Sequence, residues 1–249
     1  MKLVSIIIPY FRNREYLAKT ISSITNQTYK KIEILVVYDD NDQNDLRYFK
    51  KKFKLVKNLK FLVNKSNIGA GLSRNRGICK SKGYFLAFID SDDYWHKDKL
   101  KKQINFMEKN NFSLTHTSYK IIDKNGNLKG LRKAKKKLKH VDLLKSCDVG
   151  LSTVVLKKSI IKNNNCFPNL KTKEDYVFWL NLTKNKFIFY GLNEYLANWR
   201  RLDGSLSSSS FQKIKDGFKV YNTFMNYNFF KSLFYLLRLS LNFFIKKLN

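Results

Sequence analysis

Cysteine is nearly absent from this chain of 249 residues: Cys79, Cys147 and Cys166 are odd in number, lie far apart and form no CxxC pair. That excludes a disulfide framework and a cysteine zinc site, and points to free thiols in a reducing compartment. Histidine is equally rare, and His96, His116 and His140 have no ligand-like spacing. No Ser-His-Asp or Cys-His arrangement can be read from the chain. Long apolar runs are also missing. A membrane-spanning helix needs roughly 20 predominantly apolar residues, whereas residues 229–245 are interrupted by Lys231 and Arg238 and closed by Lys246-Lys247. Met1 to Tyr10 lacks the apolar stretch and cleavage site of a secretory leader, so the expected location is the cytoplasm. There is no internal repeat.

Acidic residues are the other shortage, 19 against 49 Lys and Arg, which leaves a net charge of +30. Such a chain repels itself unless something anionic lies nearby. Nucleic acid, anionic lipid headgroups and phosphorylated substrates are the candidate partners, and a solvated basic surface is the plainer alternative.

What is present is a hydrophobic content of 43%, enough for one domain core with a smaller appendage. Val4 to Ile8, Ile34 to Val37, Leu59 to Val63 and Tyr84 to Ile89 are near-continuous apolar runs that suit strands buried on both faces. Helical patterns alternate with them: one around Leu17, Ile21 and Ile24 that Asn13 would cap, then Asp45 to Lys57, Ala70 to Lys80 and Lys97 to Asn110. Alternation with short connections predicts an α/β fold whose central sheet is mostly parallel, with helices on both faces. Further on, Lys124 to Asn127 reads as a hairpin, the basic run Lys129 to Lys139 as an exposed, mobile loop, Ser152 to Leu156 and Phe187 to Tyr190 as strands, and Glu174 to Lys184 as a helix. Residues 1–210 are expected to form one domain, with a nucleotide-binding half over 1–95 and an acceptor-binding half over 96–210, followed by a helical tail over 211–249.

In open α/β sheets ligands bind outside the carboxyl ends of the strands. Four such ends here deliver Pro9-Tyr10, Asp39-Asp40, the loop Asn64 to Gly69, and Asp90-Ser91-Asp92-Asp93. The last cluster crowds three carboxylates, which a hard divalent cation would relieve; the same residues would also suit a helix N-terminus. Gly69-Ala70-Gly71 with Arg74-Asn75 fits a phosphate-binding turn or a simple strand-to-helix connection. Glu174-Asp175 reads as helix-capping acids or as a source of a general base.

Taken in order, these segments resemble glycosyltransferase family 2, which has the GT-A fold. The resemblance is carried by Val4 to Tyr10, Ser22 to Tyr29, Val36 to Asp40, Asn67-Ile68-Gly69, Arg74 to Gly77, Ala87 to Trp95 with its DxD element, Glu174 to Leu180, and Trp199 to Ser207. It implies a Rossmann-like GT-A domain that moves one sugar from a UDP- or dTDP-linked donor to a glycan or lipid-linked hydroxyl, with inversion, in cell-surface polysaccharide synthesis. The implied donor set is Pro9, Tyr10, Asp39, Asp40, Asn67, Gly69, Arg74, Asn75, Asp90 and Ser91, with Asp92 and Asp90 on Mn²⁺ or Mg²⁺. Asp175 would be the catalytic base, and Glu174 and Arg200 would lie on the acceptor side.

The chain departs from the family pattern at Tyr38, which occupies the first acidic slot, at Asn41-Asp42 in place of Gly-Ser, and at Leu202, where many members have histidine. The QxxRW motif of processive synthases is absent. The tail, with Phe230, Leu233, Leu237, Leu241 and Phe244 on one side, reads either as a helix lying in an anionic membrane interface at the inner face of the plasma membrane, or as one covering the domain or a second copy. Two rivals remain for the whole chain: a basic nucleic-acid-binding protein, which acidic clusters on the ligand rim disfavour, and an inactive transferase-like scaffold. The expected partner set excludes nucleic acid.

Overall fold

The computed structural model describes residues 1–202 and 210–248. The chain opens with β1 (Val4–Tyr10), α1 (Arg14–Thr25), β2 (Ile32–Tyr38), α2 (Gln43–Lys52), β3 (Leu59–Val63), α3 (Ala70–Lys80) and β4 (Phe85–Phe88). These strands pair in parallel in the order β3-β2-β1-β4. Every residue of β1 and β2 is buried, because both sheet faces are covered. Val4, Ile6 and Ile8 pack on Leu17 and Ile21 of α1 and on Leu46 and Phe49 of α2. Ile7 points the other way, into a core shared with Ile78 of α3.

The second half comprises β5 (Tyr94–Trp95), α4 (Lys99–Lys109), β6 (Leu114–Ile122), β7 (Leu128–Arg132), β8 (Lys137–Leu138), α5 (His140–Leu143), β9 (Val155–Lys157), α6 (Glu174–Lys184) and β10 (Phe189–Arg200). They extend the sheet from β4 as β9-β6-β10-β5, with β7 beside β6 and β8 beside β10. Here only β6 and β10 run parallel to each other; β9, β5, β7 and β8 pair antiparallel. The expected parallel character thus belongs to the first four strands, and the fold as a whole is a mixed α/β sheet flanked by helices. After β10 come α7 (Ser210–Lys219), a π-helical turn over Val220–Phe224 and α8 (Phe229–Leu248). Val220, Tyr221, Met225, Leu236 and Leu239 enter the same core as α6, so the tail is packed on the domain.

Several local expectations are corrected. The basic run 129–139 is not a free loop: its backbone pairs in β7 and β8, while Lys129, Lys133, Lys135, Lys136 and Lys137 face solvent. Lysines on exposed strand positions conceal a strand from a hydrophobicity reading and also guard an edge. β10 runs through twelve residues where a four-residue strand was expected, and shifts of register between Leu192, Tyr195 and Ala197 break the alternation that would have announced it. Leu151–Thr153 is a 3₁₀ turn that precedes β9. Asn13 does not cap α1 through its side chain; it donates instead to Ser91 Oγ at 3.0 Å. Asp203 to Ser207 and the side chain of Phe244 lie outside the described residues.

Gly77 lets α3 lie directly on β1: a Cβ there would stand 2.5 Å from Ile7 Cγ2. Gly77→Val should lower the unfolding free energy by about 1–3 kcal/mol in urea denaturation, through overpacking. An unchanged midpoint would show that α3 can slide on the sheet.

Candidate active site

Strand β4 ends at the acidic turn, and α3 and α6 converge on it. Arg74, on α3, is 3% exposed. It donates through Nη2 to Asp90 Oδ1 and through Nη1 to Glu174 Oε1, each at 2.7 Å. Burial pulls the guanidinium pKa down, but the two carboxylates more than offset this and hold it charged. Phe167 closes one side, 5.4 Å from the guanidinium carbon. Asn75, expected among the donor contacts, spends its amide on Phe167: Nδ2 donates to the carbonyl O at 2.7 Å and Oδ1 accepts the N–H at 2.9 Å.

The acidic turn is fastened from both sides. Asp93 is buried; its carboxylate accepts from Ser152 Oγ at 2.5 Å and from the Arg200 N–H at 2.8 Å. Ser152 Oγ also accepts the Asp90 N–H at 3.1 Å. Arg200 lies 4.5 Å over the Tyr16 ring. It donates through Nε to the Asp92 carbonyl at 3.0 Å and through Nη1 to the carbonyls of Asp123 and Lys124 at 2.9 and 2.6 Å. Its guanidinium therefore binds the acidic turn to the β6-β7 hairpin. Ser91 accepts from Asn13 and is buried. Burial, and then the neighbouring Asp90, push the Asp92 carboxyl up to about 6. Asp93 is raised well above the usual carboxylate range by burial and by both neighbours.

At the end of β2, Asp39 organises the next loop. Its carboxylate accepts from Asn64 Nδ2 at 2.7 Å, Ile68 N at 2.9 Å and Gly69 N at 2.8 Å, and its carbonyl accepts from Asn67 at 3.0 Å. Gly69 adopts φ +85°, a region that favours glycine, at the start of α3. Asp40 accepts the N–H groups of Arg12 at 3.1 Å and Asn41 at 2.8 Å. Pro9 is buried in β1. The Tyr10 side chain has no exposed surface; it stacks on Tyr38 at 4.9 Å and donates to Asp45 at 2.8 Å. Tyr10 and Asn75 thus sit away from the open rim, while Asn67, Gly69, Asp90 and Asp92 stand on it.

Asp175 occupies the first turn of α6, where Oδ1 accepts the Tyr176 N–H at 2.7 Å. Burial, then Glu174 beside it, push its carboxyl up to about 7, against the opposing pull of Arg74. A cleft of about 220 Å³ brings Asp175 together with Asp90 and Asp93, between Tyr119, Trp199, Cys147 and the Val149-to-Thr153 segment. Ser152, Tyr119, Cys147 and Val149 were missed as site residues, because nothing in their local sequence marks them; Trp199 belongs to a motif but carried no assigned role. A larger cavity of about 290 Å³, around Lys162, Asn163, Cys166 and Phe178, has no carboxylate in its lining. Among the described residues no three His, Cys, Asp or Glu side chains are grouped to hold a metal ion. Two nearby carboxylates, one of them raised first by burial and then by the other, fit a cation that takes its remaining ligands from phosphate oxygens and water.

The model of glycosyl transferase family 2 matches residues 5–164. The chain belongs to glycosyltransferase family 2. The putative teichuronic acid biosynthesis glycosyltransferase TuaG of Bacillus subtilis is 31% identical over 231 residues, 92% of this chain and 91% of its own length. WfgD of Escherichia coli, named a UDP-Glc:alpha-D-GlcNAc-diphosphoundecaprenol beta-1,3-glucosyltransferase, is 35% identical over 240 residues, 94% of this chain and 91% of its own. Among solved structures, S. aureus TarS 1-349 in complex with UDP-GlcNAc superposes with a TM-score of 0.73 at 23% identity, over 90% of this chain and 65% of that one. The last likeness establishes the GT-A fold, and the family makes this protein a glycosyltransferase. Enzymes of this family often use a divalent metal.

In this glycosyltransferase, removing the buried cation strands two carboxylates. Arg74→Met should cost about 3 kcal/mol, at the low end for breaking a buried pair because the Asp90 side chain is 33% exposed. Urea denaturation checks this; an unchanged unfolding free energy would show that the guanidinium does not tie the two carboxylates together.

Proposed function

We propose that this glycosyltransferase moves a single sugar, with inversion, from a UDP- or dTDP-linked donor to a hydroxyl of a glycan or lipid-linked acceptor in cell-surface polysaccharide synthesis. The observation that carries the reading is the shared cleft of Asp90 and Asp175, with Asp175 raised to about 7. A carboxylate tuned close to neutrality is suited to general base work. The names of WfgD and of the TarS complex support a UDP-linked donor, and that of WfgD supports a lipid-diphosphate acceptor.

Asp92, with Asp90 beside it, would hold Mn²⁺ or Mg²⁺, which when bound supplies positive charge to the departing diphosphate. The Asp90 carboxylate is already oriented by Arg74, and the backbone at Asp92 is held by the Arg200 bond to its carbonyl. The Asp39-organised loop and the Gly69 turn form the nucleotide side of the rim. Asp175 accepts the proton of the acceptor hydroxyl while that oxygen bonds to the anomeric carbon and the carbon-to-diphosphate bond breaks on the opposite face. One displacement of this kind inverts the centre. Trp199 and Tyr119 offer flat apolar faces for sugar rings beside Asp175. On this reading the enzyme works at the cytoplasmic face of an anionic membrane and takes no nucleic acid, because a cleft lined by carboxylates repels a polyanion.

Asp175→Asn should lower kcat by about 10²–10⁴ and leave donor affinity unchanged. In the wild type, kcat/KM should fall as pH drops through about 7, since the base works only when deprotonated. Steady-state kinetics with UDP-sugars and a lipid-diphosphate glycan check both. Undiminished turnover in Asp175→Asn refutes the base, and absence of any transfer or donor hydrolysis by the wild type favours the scaffold reading.

A further inference from the structure

The outward face of α8 is apolar, whereas a surface helix normally turns polar residues to water. Inward, Ser232, Leu236 and Leu239 are buried against the domain. Outward, Phe230, Leu233, Phe234, Leu237, Leu241 and Ile245 are 38–81% exposed. Their three- and four-residue spacing makes a single stripe. The helix has 20 residues, so at 1.5 Å per residue it is about 30 Å long. Lys231 and Arg238 are exposed along the edge of this stripe. Lys231 Nζ lies 4.0 Å over the Tyr227 ring and the Arg238 guanidinium 5.5 Å from the Phe234 ring, so each charge is held on an aromatic face beside the stripe. α7, packed on α8 where Gly217 meets Leu236, exposes Phe211 and Ile214 as well. Contiguous exposed apolar surface with a polar rim marks an interaction site.

We propose that this face of α8 docks on an anionic lipid bilayer, with the helix lying in the plane of the interface, the stripe among acyl chains, and Lys231 and Arg238 against headgroups. The inference deepens the membrane part of the proposed function and rests on it. Two observations select a bilayer surface. No described helix is long and apolar enough to cross a membrane, and the opposite face of α8 is already committed to the core. A second copy fits poorly, because a two-fold contact through the stripe would set the Lys231 and Arg238 rims of two +30 chains against each other. An anionic bilayer is complementary to both the stripe and its rim. Docking is also mechanically connected to the cleft. Asp216 of α7 accepts from Thr172 N at 3.0 Å and Thr172 Oγ1 at 2.9 Å, just ahead of Glu174 and Asp175. A helix seated in the interface therefore sets the position of the catalytic end of α6 relative to the bilayer that presents a lipid-linked acceptor.

The test is co-sedimentation of the full chain, at physiological salt, with phosphatidylcholine vesicles that contain or lack phosphatidylglycerol. The wild type should sediment with the anionic vesicles. Phe230→Ser/Leu237→Ser/Leu241→Ser, which leaves the charge unchanged, should weaken partitioning by about tenfold or more, with thermal unfolding and hydrolysis of UDP-sugar in solution preserved. Lys231→Glu/Arg238→Glu should lose the preference for anionic vesicles. The proposal is overturned if the wild type does not bind them, if the apolar triple variant binds as well as the wild type, or if light scattering finds a dimer that the triple variant disperses. Vesicle binding without UDP-sugar hydrolysis would support the docking surface and count against the transferase mechanism alone.

Discussion

A guanidinium sealed between two carboxylates is the interaction on which the site depends. Arg74 reaches from α3 to Asp90 at the end of β4 and to Glu174 at the start of α6, a residue 100 positions away in sequence. Burying three charges is a poor way to gain stability, since desolvation offsets most of the attraction. What the arrangement secures is position. With Glu174 pinned to Arg74, the next residue, Asp175, is held in the cleft that Asp90 also lines. Arg74 Nε has no hydrogen-bond partner, and the ring of Phe167 covers one side of the guanidinium.

Around that link the chain reverses its own charge. A molecule of net charge +30 gathers Asp90, Asp92, Asp93 and Asp175 at one rim, where burial and mutual repulsion raise Asp92, Asp93 and Asp175. Such a rim stores electrostatic tension that a divalent cation and its diphosphate would release. Asp93 is the exception: with Ser152 and the Arg200 N–H on its oxygens it works as a clamp that shapes the turn for its two neighbours. Apart from Arg74 and Arg200 beside the rim, basic side chains meet solvent on elements such as β7, β8 and the edge of the apolar stripe of α8.

The first half of the fold could be read closely from sequence, because strands buried on both faces must be apolar throughout. β3 and α3 fall on their expected bounds, and β1, β2 and β4 within a few residues. Whereas β1 runs on through Pro9 and Tyr10, the ends of β2, β3 and β4 were legible to within one residue. Which way a rim side chain turns was not: the sequence does not show that Tyr10 faces Asp45 and Tyr38, or that Asn75 grips the backbone of Phe167. Arg200 carries the same lesson, since its carbonyl partners at Asp123 and Lys124 lie on a hairpin remote in sequence. The second half hid more, because lysines decorate its edge strands and β10 loses its alternation at its register shifts.

The central claim is that Asp92 and its neighbours receive a cation together with a nucleoside diphosphate, in a cleft already ordered by Arg74 and Asp93. Calorimetric titration of UDP into the protein, with and without Mn²⁺, tests it most directly. The arrangement predicts binding that strengthens markedly with Mn²⁺ in the wild type and loses that dependence in Asp92→Asn. UDP affinity that ignores Mn²⁺, or that is unchanged in Asp92→Asn, would contradict it.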